Sequence, residues 1–491
     1  MSVSKKVLTT EKENGRFYTP EFLVKNILDM SGYTGINILK KNVIDNSCGD
    51  GAFLCEIVSR YCKEAINSHM SLSELKRDLE AYIHGIEIEI VERNKCIDRL
   101  NFTAAVFGVS DIRWDIICAD TLTVNKYDGK MDFVLGNPPY VRVHNLGDTF
   151  NEIKGFSFSQ GGMTDLFIVF YEIGIKMLSE KGTLGYITPS SFFNSIAGLY
   201  MRQFFIRENL LDSIVDLKHF QAFNSTTYTA IVVLKKNRQK RDIDYFRFDE
   251  KNRIPYYVDS LLPSDFCIAD NFYFSDKKEL SFMAHIYCNI GKSDITVKNG
   301  YATLCDDVFI NDFDFDSKFI IPVIKSSKGV RKRIFYPYNE HGNLIPEEEI
   351  RSDIKMYSYL LDNKERLIKR SNEKDHERFW YSFGRSQAIN DTYRDKLSVN
   401  ALIRNESDFK FMEAPSGTGV YSGLYIVSDT VPIGEIKKAL MSKEFAVYVS
   451  LLGKYKSGGY YTFSSKDVKV FLDYKFAYDG GIFSCLQTSN F

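Results

Sequence analysis

From about residue 41 to residue 235, short apolar runs alternate with longer segments in which apolar residues recur at helical spacing. The short runs indicate strands, and turn residues separate them from the helical segments. Alternation of this kind predicts a mostly parallel, doubly wound α/β sheet with helices on both faces. The predicted strands cover residues 41–45, 82–87, 114–118, 132–135, 184–188, 213–217 and 228–236, and the clearest helices cover about 51–66, 165–178 and 196–209.

The pattern changes after about residue 242, where the regular alternation of strands and helices ends. A chain of 491 residues has enough sequence for two or more domains with real cores. We therefore predict an α/β domain over residues 1–242 and a second domain of mixed α+β structure over residues 243–491.

Polar residues suited to ligand binding follow four of the predicted strands. In open α/β sheets, ligands lie beyond the carboxyl ends of the strands. Residues 45–51, 87, 120 and 137–140 all fall at or just after such ends. Their shared position carries more weight than any one of these short motifs.

The most specific motif is Asn137-Pro138-Pro139-Tyr140, which ends the fourth strand. Prolines cannot continue a central strand or donate backbone hydrogen bonds, so the chain must turn there and leave carbonyl groups free to accept. An amide, a stiff backbone and an aromatic ring side by side suit the binding of a planar exocyclic amine. A proline-rich turn after a buried strand is the structural alternative.

The turn after the first strand begins at Asp45 and contains two closely spaced glycines, Gly49 and Gly51. Both glycines permit positive φ and let the backbone approach a ligand closely. The third glycine of a dinucleotide fingerprint is missing, because Leu54 stands in its place, so a pyrophosphate ligand is disfavoured. A tight turn without any ligand would show the same spacing.

Two further carboxylates complete this pattern. Glu87 ends the second strand, where a carboxylate can accept both hydroxyls of a ribose, and Asp120 follows the third strand, where it could accept an adenine amine. An exposed strand-end charge and a helix N-cap are the respective alternatives. With Asp45 near an amino-acid moiety, the set indicates a pocket for an adenosine-type cofactor without phosphates, and S-adenosyl-L-methionine is the natural candidate.

Composition narrows the class of protein further. The 63 basic and 64 acidic residues give a net charge of −1, so no global basic field indicates nucleic acid. The nine cysteines form no CxxC pair, which predicts neither a metal site nor a disulfide framework and favours a reducing, cytoplasmic setting. No apolar stretch is long enough to span a bilayer, so no membrane partner is expected.

One basic segment departs from this overall balance. Residues 317–339 interleave basic and aromatic side chains and contain no acid. Such a pattern suits contact with the phosphate backbone of a duplex, and a solvated basic strand pair is the alternative. The predicted DNA-binding residues are Lys325, Lys328, Arg331, Lys332 and Arg333.

The order of five motifs resembles the gamma-class, TaqI-like adenine-specific DNA methyltransferases of restriction-modification systems. The motifs are GRFYTP at residues 15–20, then DNSCGDGAF, GIEIE, ADTL and GNPPY, and the resemblance covers residues 15–235. It implies a class I S-adenosylmethionine-dependent catalytic domain over residues 1–242. It also implies a target-recognition domain for DNA over residues 243–491.

The resemblance assigns cofactor contacts to the motif residues. In that family, residues at the positions of Thr19, Asp45 and Ser47 bind the methionine moiety of the cofactor. The first glutamate of GIEIE, Glu87, would bind the ribose, and the following Ile88 would lie beside the adenine. The aspartate of ADTL, Asp120, would accept from the adenine amine. The implied cofactor-binding residues are Thr19, Asp45, Ser47, Cys48, Gly49, Gly51, Glu87, Ile88, Asp120 and Asn137.

The resemblance also assigns the target base. Asn137 and the Pro138 carbonyl would accept the two hydrogens of the target amine, with Pro139 stiffening the turn. Tyr140 would stack on the flipped base, and Phe223 aligns with a second stacking residue. No covalent nucleophile or metal is needed for this chemistry, so the thiol of the first turn is expected to be structural.

The implied reaction is methyl transfer to the exocyclic N6 amine of adenine in double-stranded DNA. A paired adenine is out of reach, so the base would be flipped out of the duplex. A cognate restriction endonuclease would be a second partner, in the cytoplasm of a bacterium or archaeon and near the nucleoid. The alternatives are the same amine chemistry on an RNA base or a protein glutamine amide, and a non-catalytic DNA-binding specificity module.

Overall fold

The computed structural model describes residues 18–141, 153–223, 227–370 and 379–477. The chain divides into two compact units, the first ending at Ala284 and the second beginning at His285. Each unit has its own buried apolar core.

The first unit is built around a sheet of nine strands among the described residues, in the order β3-β2-β1-β4-β5-β7-β6-β8-β9. The strands are β1 Val43–Asp45, β2 Ile83–Glu87, β3 Asp115–Cys118, β4 Met131–Gly136, β5 Leu178–Pro189, β6 Leu211–Asp216, β7 Thr229–Lys235, β8 Ile243–Asp249 and β9 Ile254–Leu261.

Strands β3, β2, β1, β4 and β5 run parallel to their neighbours. Strand β7 is antiparallel to both β5 and β6, while β8 returns parallel to β6 and β9 closes the edge antiparallel to β8. The sheet is therefore mostly parallel and lies between helices, which confirms the predicted fold class. The carboxyl ends of the first four strands meet at one edge.

Helices fill the connections of this unit, together with the short hairpin β10 Cys267–Ile268 and β11 Asn271–Phe272. The helices are α1 Glu21–Met30, α2 Ala52–Asn67, α3 Leu72–Tyr82, α4 Ile90–Ala105, α5 Leu166–Met177, α6 Leu199–Arg207 and α7 Pro263–Phe266, and α8 Lys277–Cys288 crosses the boundary at Ala284.

Helix α2 shows why these segments fold as they do. Its apolar side chains at Phe53, Leu54, Ile57, Val58 and Tyr61 recur every three or four residues and are all buried. A stripe of this spacing places one helix face on the sheet and leaves the polar face to solvent. The pattern predicts this helix over 51–66, and its observed bounds agree closely.

Helix α1, which follows Thr19 and Pro20 directly, is anchored on the far strands of the sheet. The Asn26 Nδ2 donates to the Arg253 carbonyl, 2.9 Å away, in the turn between β8 and β9. The Phe22 ring packs 6.2 Å from the ring of Phe248 in β8. Strands β8 and β9 thus support helix α1 and, with it, the preceding Thr19 and Pro20.

The sequence pattern places a domain boundary at residues 242/243, between β7 and β8, whereas the first unit runs to Ala284. Strand β8 pairs in parallel with β6, with Ser213 opposite Asp244, and therefore belongs to the same sheet. The pattern missed this because β8 and β9 mix polar and aromatic residues and have no helix between them. They do not resemble the continuous apolar runs of the earlier strands.

The second unit has mixed α+β structure, with sheets ordered β12-β19-β15-β17, β14-β13-β18 and β16-β21-β20. Its strands are β12 Thr296–Asn299, β13 Ile320–Lys325, β14 Val330–Phe335, β15 Lys396–Val399, β16 Leu402–Ile403, β17 Phe411–Ala414, β18 Gly419–Tyr421, β19 Leu424–Val427, β20 Tyr455–Lys456 and β21 Tyr460–Thr462. Its helices are α9 Asp306–Phe309, α10 Glu347–Arg351, α11 Ile354–Asp362, α12 Lys364–Lys369, α13 Ile433–Leu440, α14 Lys443–Leu451 and α15 Ser465–Lys475.

Across the described ranges of both units, the helices are too short or too polar to cross a membrane.

We expect Gly185→Ala to destabilise the first unit. A Cβ at this position of β5 would lie 2.0 Å from the Ser31 Oγ and 3.0 Å from the Leu135 Cδ2, so the end of α1 would be pushed off the sheet. Overpacking of this kind costs about 1–3 kcal/mol of unfolding free energy. Thermal unfolding would show a lower midpoint for this variant. Gly434→Ala, where a Cβ meets nothing within 4 Å, is the control, and equal midpoints for both variants would contradict the packing.

Candidate functional site

Four strand ends converge at one edge of the sheet of the first unit. Strands β1 and β2 are in register with Asp45 opposite Gly85, and β2 and β3 with Glu87 opposite Cys118. The Ala119 amide, just after β3, donates to the Glu87 carbonyl, 3.1 Å away. The residues that follow these strands are therefore neighbours in space.

The turn after β1 is held tightly by backbone hydrogen bonds. The Cys48 amide donates to the Ile86 carbonyl at 2.9 Å, and the Gly51 amide donates to the Cys48 carbonyl at 2.8 Å. Gly51 has a φ of 90°, and a Cβ there would lie 2.8 Å from the Cys96 Sγ. This position therefore requires glycine for both its backbone conformation and the close approach of α4.

Glu87 connects the end of β2 to this turn. Its Oε2 accepts from the Gly49 amide and its Oε1 accepts from the Glu89 amide, each at 2.9 Å. The side chain is only 7% exposed, so these bonds fix its position. A carboxylate oxygen has more than one lone pair, so both oxygens keep capacity to accept from a ligand as well.

Asp45 is a buried carboxylate at the end of β1. Its Oδ1 accepts from the Ser47 amide at 3.0 Å, and a Cβ on Gly136 of β4 would lie 2.6 Å from the same oxygen. Burial disfavours its charge and the nearby Glu87 adds repulsion, so the pKa of Asp45 rises to about 7. A buried carboxylate of this kind gains from a cationic partner.

Asn137, directly after β4, contacts two other predicted site residues. Its Nδ2 donates to the Thr19 Oγ1 at 3.1 Å, and its carbonyl accepts from the Ser47 Oγ at 3.3 Å. Thr19 is buried although it lies 118 residues earlier in the chain. The structure thus brings Thr19, Asp45, Ser47, Glu87 and Asn137 together, as the motif order predicts.

Tyr140 lies at the far end of the same motif, after Pro138 and Pro139. Its hydroxyl donates to the Ile187 carbonyl of β5 at 3.0 Å, and the low polarity around the ring raises the pKa of this phenol. The ring makes an edge contact with Phe167, with ring centres 6.3 Å apart. The hydroxyl and this neighbour fix the ring position.

Phe223 is beside Tyr140 but does not face it across a slot. The ring centres are 5.9 Å apart and the ring planes are inclined by 74°. A base stacked between two rings needs parallel faces roughly 7 Å apart, since stacked bases are spaced by about 3.4 Å. In this arrangement the two rings pack on each other, and the stacking role of Phe223 would require them to part.

The residues predicted to surround an adenine lie on the same edge. Asp120 caps the short 3-10 helix Thr121–Thr123, its Oδ1 accepting from the Leu122 amide at 3.0 Å. The alternative reading of Asp120 as an N-cap therefore describes a real contact. Ile88 is 59% exposed beside Glu87, which leaves an apolar surface next to the carboxylate.

Sequence reasoning missed Asn46, which is fully buried at the centre of the site. Its Oδ1 accepts from the Tyr186 hydroxyl of β5 at 2.9 Å. Its carbonyl accepts from the Thr121 Oγ1 at 2.6 Å. Asn46 thus ties the first turn to β5 and to the segment after Asp120. An asparagine inside a glycine-rich turn was the available signal, but its partners are distant in sequence.

The five predicted DNA-binding residues of the second unit lie in the hairpin formed by β13 and β14. Lys328 and Arg331 are exposed, whereas Lys325 is half-buried with its Nζ 5.6 Å from the Tyr421 ring. Lys332 lies 3.4 Å from Asp312.

Arg333 has a structural role in the same hairpin. It donates to the carbonyls of Phe313 and Phe315, at 2.7 and 3.1 Å, and to Asp316 at 2.9 Å. The exposed cations of the hairpin are therefore Lys328 and Arg331. Lys410 adds a third exposed cation, because a Cβ on Gly329 would lie 3.4 Å from the Lys410 Cβ.

A comparison with protein families matches residues 54–223 to the Eco57I restriction-modification methylase family. The matched segment covers strands β2 to β6 and contains the motif at the end of β4. It begins after the glycine turn and ends at Phe223.

Among curated proteins, the chain is 26% identical to the Type II methyltransferase M.BstVI of Geobacillus stearothermophilus, over 75% of this chain and 74% of that protein. It is 23% identical to the Type II restriction enzyme and methyltransferase RM.Eco57I of Escherichia coli, over 89% of this chain. The chain covers only 54% of RM.Eco57I, about half the length of that relative.

Among solved structures, the chain is similar to the Type IIL restriction-modification enzyme MmeI in complex with DNA. The TM-score is 0.60 at 13% identity, over 91% of this chain and 64% of that one. At this identity the likeness concerns the fold. Since the match covers 91% of this chain, it extends into both units.

We expect Asp45→Asn to stabilise the protein more at higher pH. The pKa of Asp45 is raised to about 7, so the folded state keeps a proton that the unfolded state releases above about pH 4. The carboxylate therefore costs stability that grows up to about pH 7 and then stays constant, with an upper limit of about 4 kcal/mol.

The measurement is the unfolding midpoint of both proteins from about pH 5 to about pH 8. The midpoint of the variant should exceed that of the wild type by a margin that widens up to neutrality and is level above it. A difference that is the same at every pH would contradict the raised pKa.

Proposed function

Because residues 54–223 form an Eco57I-type restriction-modification methylase domain, we propose that the protein methylates DNA within a restriction-modification system. The reaction we assign is transfer of a methyl group from S-adenosyl-L-methionine to the N6 amine of an adenine flipped out of the duplex. The observation that carries this proposal is Asn137, held at the end of β4 between Thr19 and the turn after β1.

The residues at the strand ends fit S-adenosyl-L-methionine, the cofactor that the fold and the methylase family imply. When bound, it supplies a methyl group on a positively charged sulfur. The backbone at Gly49 has open space above it, and the buried Asp45 carboxylate lies against Gly136, which has no side chain to fill the pocket. A buried acid of this kind would bind the ammonium of the methionine moiety.

The same edge offers acceptors and apolar surface for the nucleoside. Glu87 would accept from the ribose hydroxyls while it holds the Gly49 amide. Ile88 would cover the adenine, and Asp120 would accept from its amine. Backbone amides already fix the positions of the Glu87 and Asp120 carboxylates.

The amine of adenine is a poor nucleophile because its lone pair is delocalised into the ring. The Asn137 Oδ1 and the Pro138 carbonyl would accept its two hydrogens and favour a tetrahedral nitrogen. They would also stabilise the positive charge that develops as the methyl group is transferred. The bond from the Asn137 Nδ2 to Thr19 supports this role, since it orients the amide and directs Oδ1 to the other side.

Flipping the base out of the duplex costs a few kcal/mol, which stacking on an aromatic ring partly offsets. We assign the stacking surface to Tyr140, whose hydroxyl bond to β5 holds the ring. We place the target-recognition function in the second unit and the contacts to phosphate at its basic hairpin. A separate restriction endonuclease that cuts the same site would be the second component of the system, and methylation would protect the host DNA from it.

We expect Asn137→Ala to lower methyl transfer at least about a hundredfold, because an acceptor of the developing charge is lost. Binding of S-adenosyl-L-methionine should change little. The assay incubates purified protein and cofactor with unmethylated genomic DNA and maps modified adenines by single-molecule sequencing. Asn125→Ala, at an exposed asparagine of the same unit, is the control.

Methylation of one short motif by the wild type and the control, but not by Asn137→Ala, would support the proposal. Near-normal turnover in Asn137→Ala would refute the assignment of this residue. No mark on DNA despite cofactor binding would redirect the search to RNA bases or a protein glutamine amide.

We expect the double charge reversal Lys328→Glu and Arg331→Glu to weaken DNA binding and to flatten its dependence on salt. Each lost phosphate contact should reduce the slope of log affinity against log salt by about 0.9. The control is Lys63→Glu with Arg77→Glu, which changes the net charge equally at exposed positions of α2 and α3. An unchanged slope in the hairpin variant would show that the hairpin does not contact phosphates.

A further inference from the structure

Two loops of the first unit present large apolar side chains to solvent at adjacent positions. Met163 is 80% exposed and Ile196 is 76% exposed. A Cβ on Gly162 would lie 3.4 Å from the Ile196 Cγ2, so the two loops are in contact. We call Met163 and Ile196 the apolar tip. Single exposed apolar residues are common, so exposure alone assigns no role to this pair, and its position relative to the candidate site has to carry the argument.

The two loops are packed too closely to move independently. A Cβ on Gly161 would lie 2.7 Å from the Ile196 carbonyl oxygen of the other loop, so this position needs glycine for the two backbones to approach. Within the Ile196 loop itself, a Cβ on Gly198 would lie 2.4 Å from the Phe192 carbonyl oxygen, so that loop is tightly folded. The two residues of the apolar tip therefore lie on closely packed loops.

A buried arginine holds the backbone of the loop that carries Ile196. Arg202 of α6 is 3% exposed, and its Nη1 donates to the carbonyls of Phe192 and Ser195 at 2.5 and 2.8 Å. Its Nε donates to the Asp270 carbonyl at 2.8 Å. Burying a guanidinium is costly unless it is hydrogen-bonded, and here its hydrogen bonds tie α6 to the backbone of the Ile196 loop and of Asp270. These bonds fix the position of the Ile196 loop while the Ile196 side chain stays exposed.

The apolar tip lies close to the proposed base-binding motif. The Leu166 amide donates to the Val141 carbonyl at 2.8 Å, one residue beyond Tyr140. Met163 is three residues before Leu166, a span of at most about 11 Å. The loop of Ile196 also follows β5 at the same edge of the sheet.

We propose that the apolar tip enters the DNA duplex beside the adenine held at Asn137 and fills the space that the flipped base leaves. Apolar side chains inserted between base steps are a known means of holding a duplex open. Closely packed loops suit this task, since the wedge must resist closure of the stack. This inference rests on the proposed function and names the part of the protein that acts on the duplex during flipping.

The test compares the double variant, Met163→Ser together with Ile196→Ser, with the wild type. The substrates are two duplexes of the motif found by methylation mapping, one with the target adenine paired and one with it mispaired. A mispaired base flips more easily and needs a wedge less. We expect kcat/KM to fall about tenfold on the paired duplex and to change less than about threefold on the mispaired one.

A second readout replaces the target adenine by 2-aminopurine, whose fluorescence rises when the base leaves the stack. The double variant should show a smaller rise at saturating protein. Phe102→Ser is the control, because Phe102 on α4 is 76% exposed and equally apolar. It should behave as the wild type in both assays.

Each other outcome overturns the inference. Equal losses on both duplexes would indicate damage to the fold, and no loss on either would exclude a wedge. A lower molecular mass of the double variant in light scattering would mark the apolar tip as a contact between copies of the chain. If the mapping finds no motif methylated by the wild type, the proposed function itself is refuted before the duplexes are made, which distinguishes that failure from the failure of the wedge.

Discussion

The bond between the Glu87 carboxylate and the Gly49 amide is the constraint on which the rest of the site depends. It spans two parallel strands at their carboxyl ends and fixes the turn after β1 over the end of β2. A neutral or shorter side chain could not hold both this amide and that of Glu89. With the turn fixed, Asp45 and Ser47 take positions from which they can meet the residues that follow β4.

From that turn, a chain of polar contacts runs to the N-terminal segment. Ser47 donates to the Asn137 carbonyl, and Asn137 donates to Thr19. Each link joins residues far apart in sequence, so none of them forms by local folding alone. The amide that we assign to catalysis is oriented by a hydroxyl from outside the sheet, and its geometry therefore depends on how helix α1 is docked.

Much of this arrangement could be predicted from the sequence, for a clear reason. Continuous apolar runs such as β4 and β7 are buried on both faces, and parallel strands bring their carboxyl ends to one edge. Residues at the ends of such strands, such as Glu87 at the end of β2 and Asn137 after β4, therefore lie at the same edge of the sheet. The predicted domain boundary before β8 was wrong because it depends on strand pairing between residues far apart in sequence. Strands β8 and β9 mix polar and aromatic residues, and nothing local shows that β8 pairs with β6.

The side chains that sequence reasoning missed have the same explanation. Asn46 meets Tyr186 across 140 residues, and Lys410 reaches the hairpin of β13 and β14 from another sheet. Arg333 looked like a surface cation in a basic run, but its partners lie in the preceding loop. A run of charges in sequence thus contains both anchored and exposed members, and only the folded unit separates them.

The anchoring of helix α1 on β8 and β9 has a consequence for how such proteins can be recombined. A chain divided at residue 242 would lose Phe248 and the Arg253 carbonyl, and with them the support of the segment that carries Thr19. The hydroxyl that orients Asn137 would then be lost although every residue of the motifs was kept. Exchange of the second unit between relatives should therefore preserve the site only if the junction lies beyond β9.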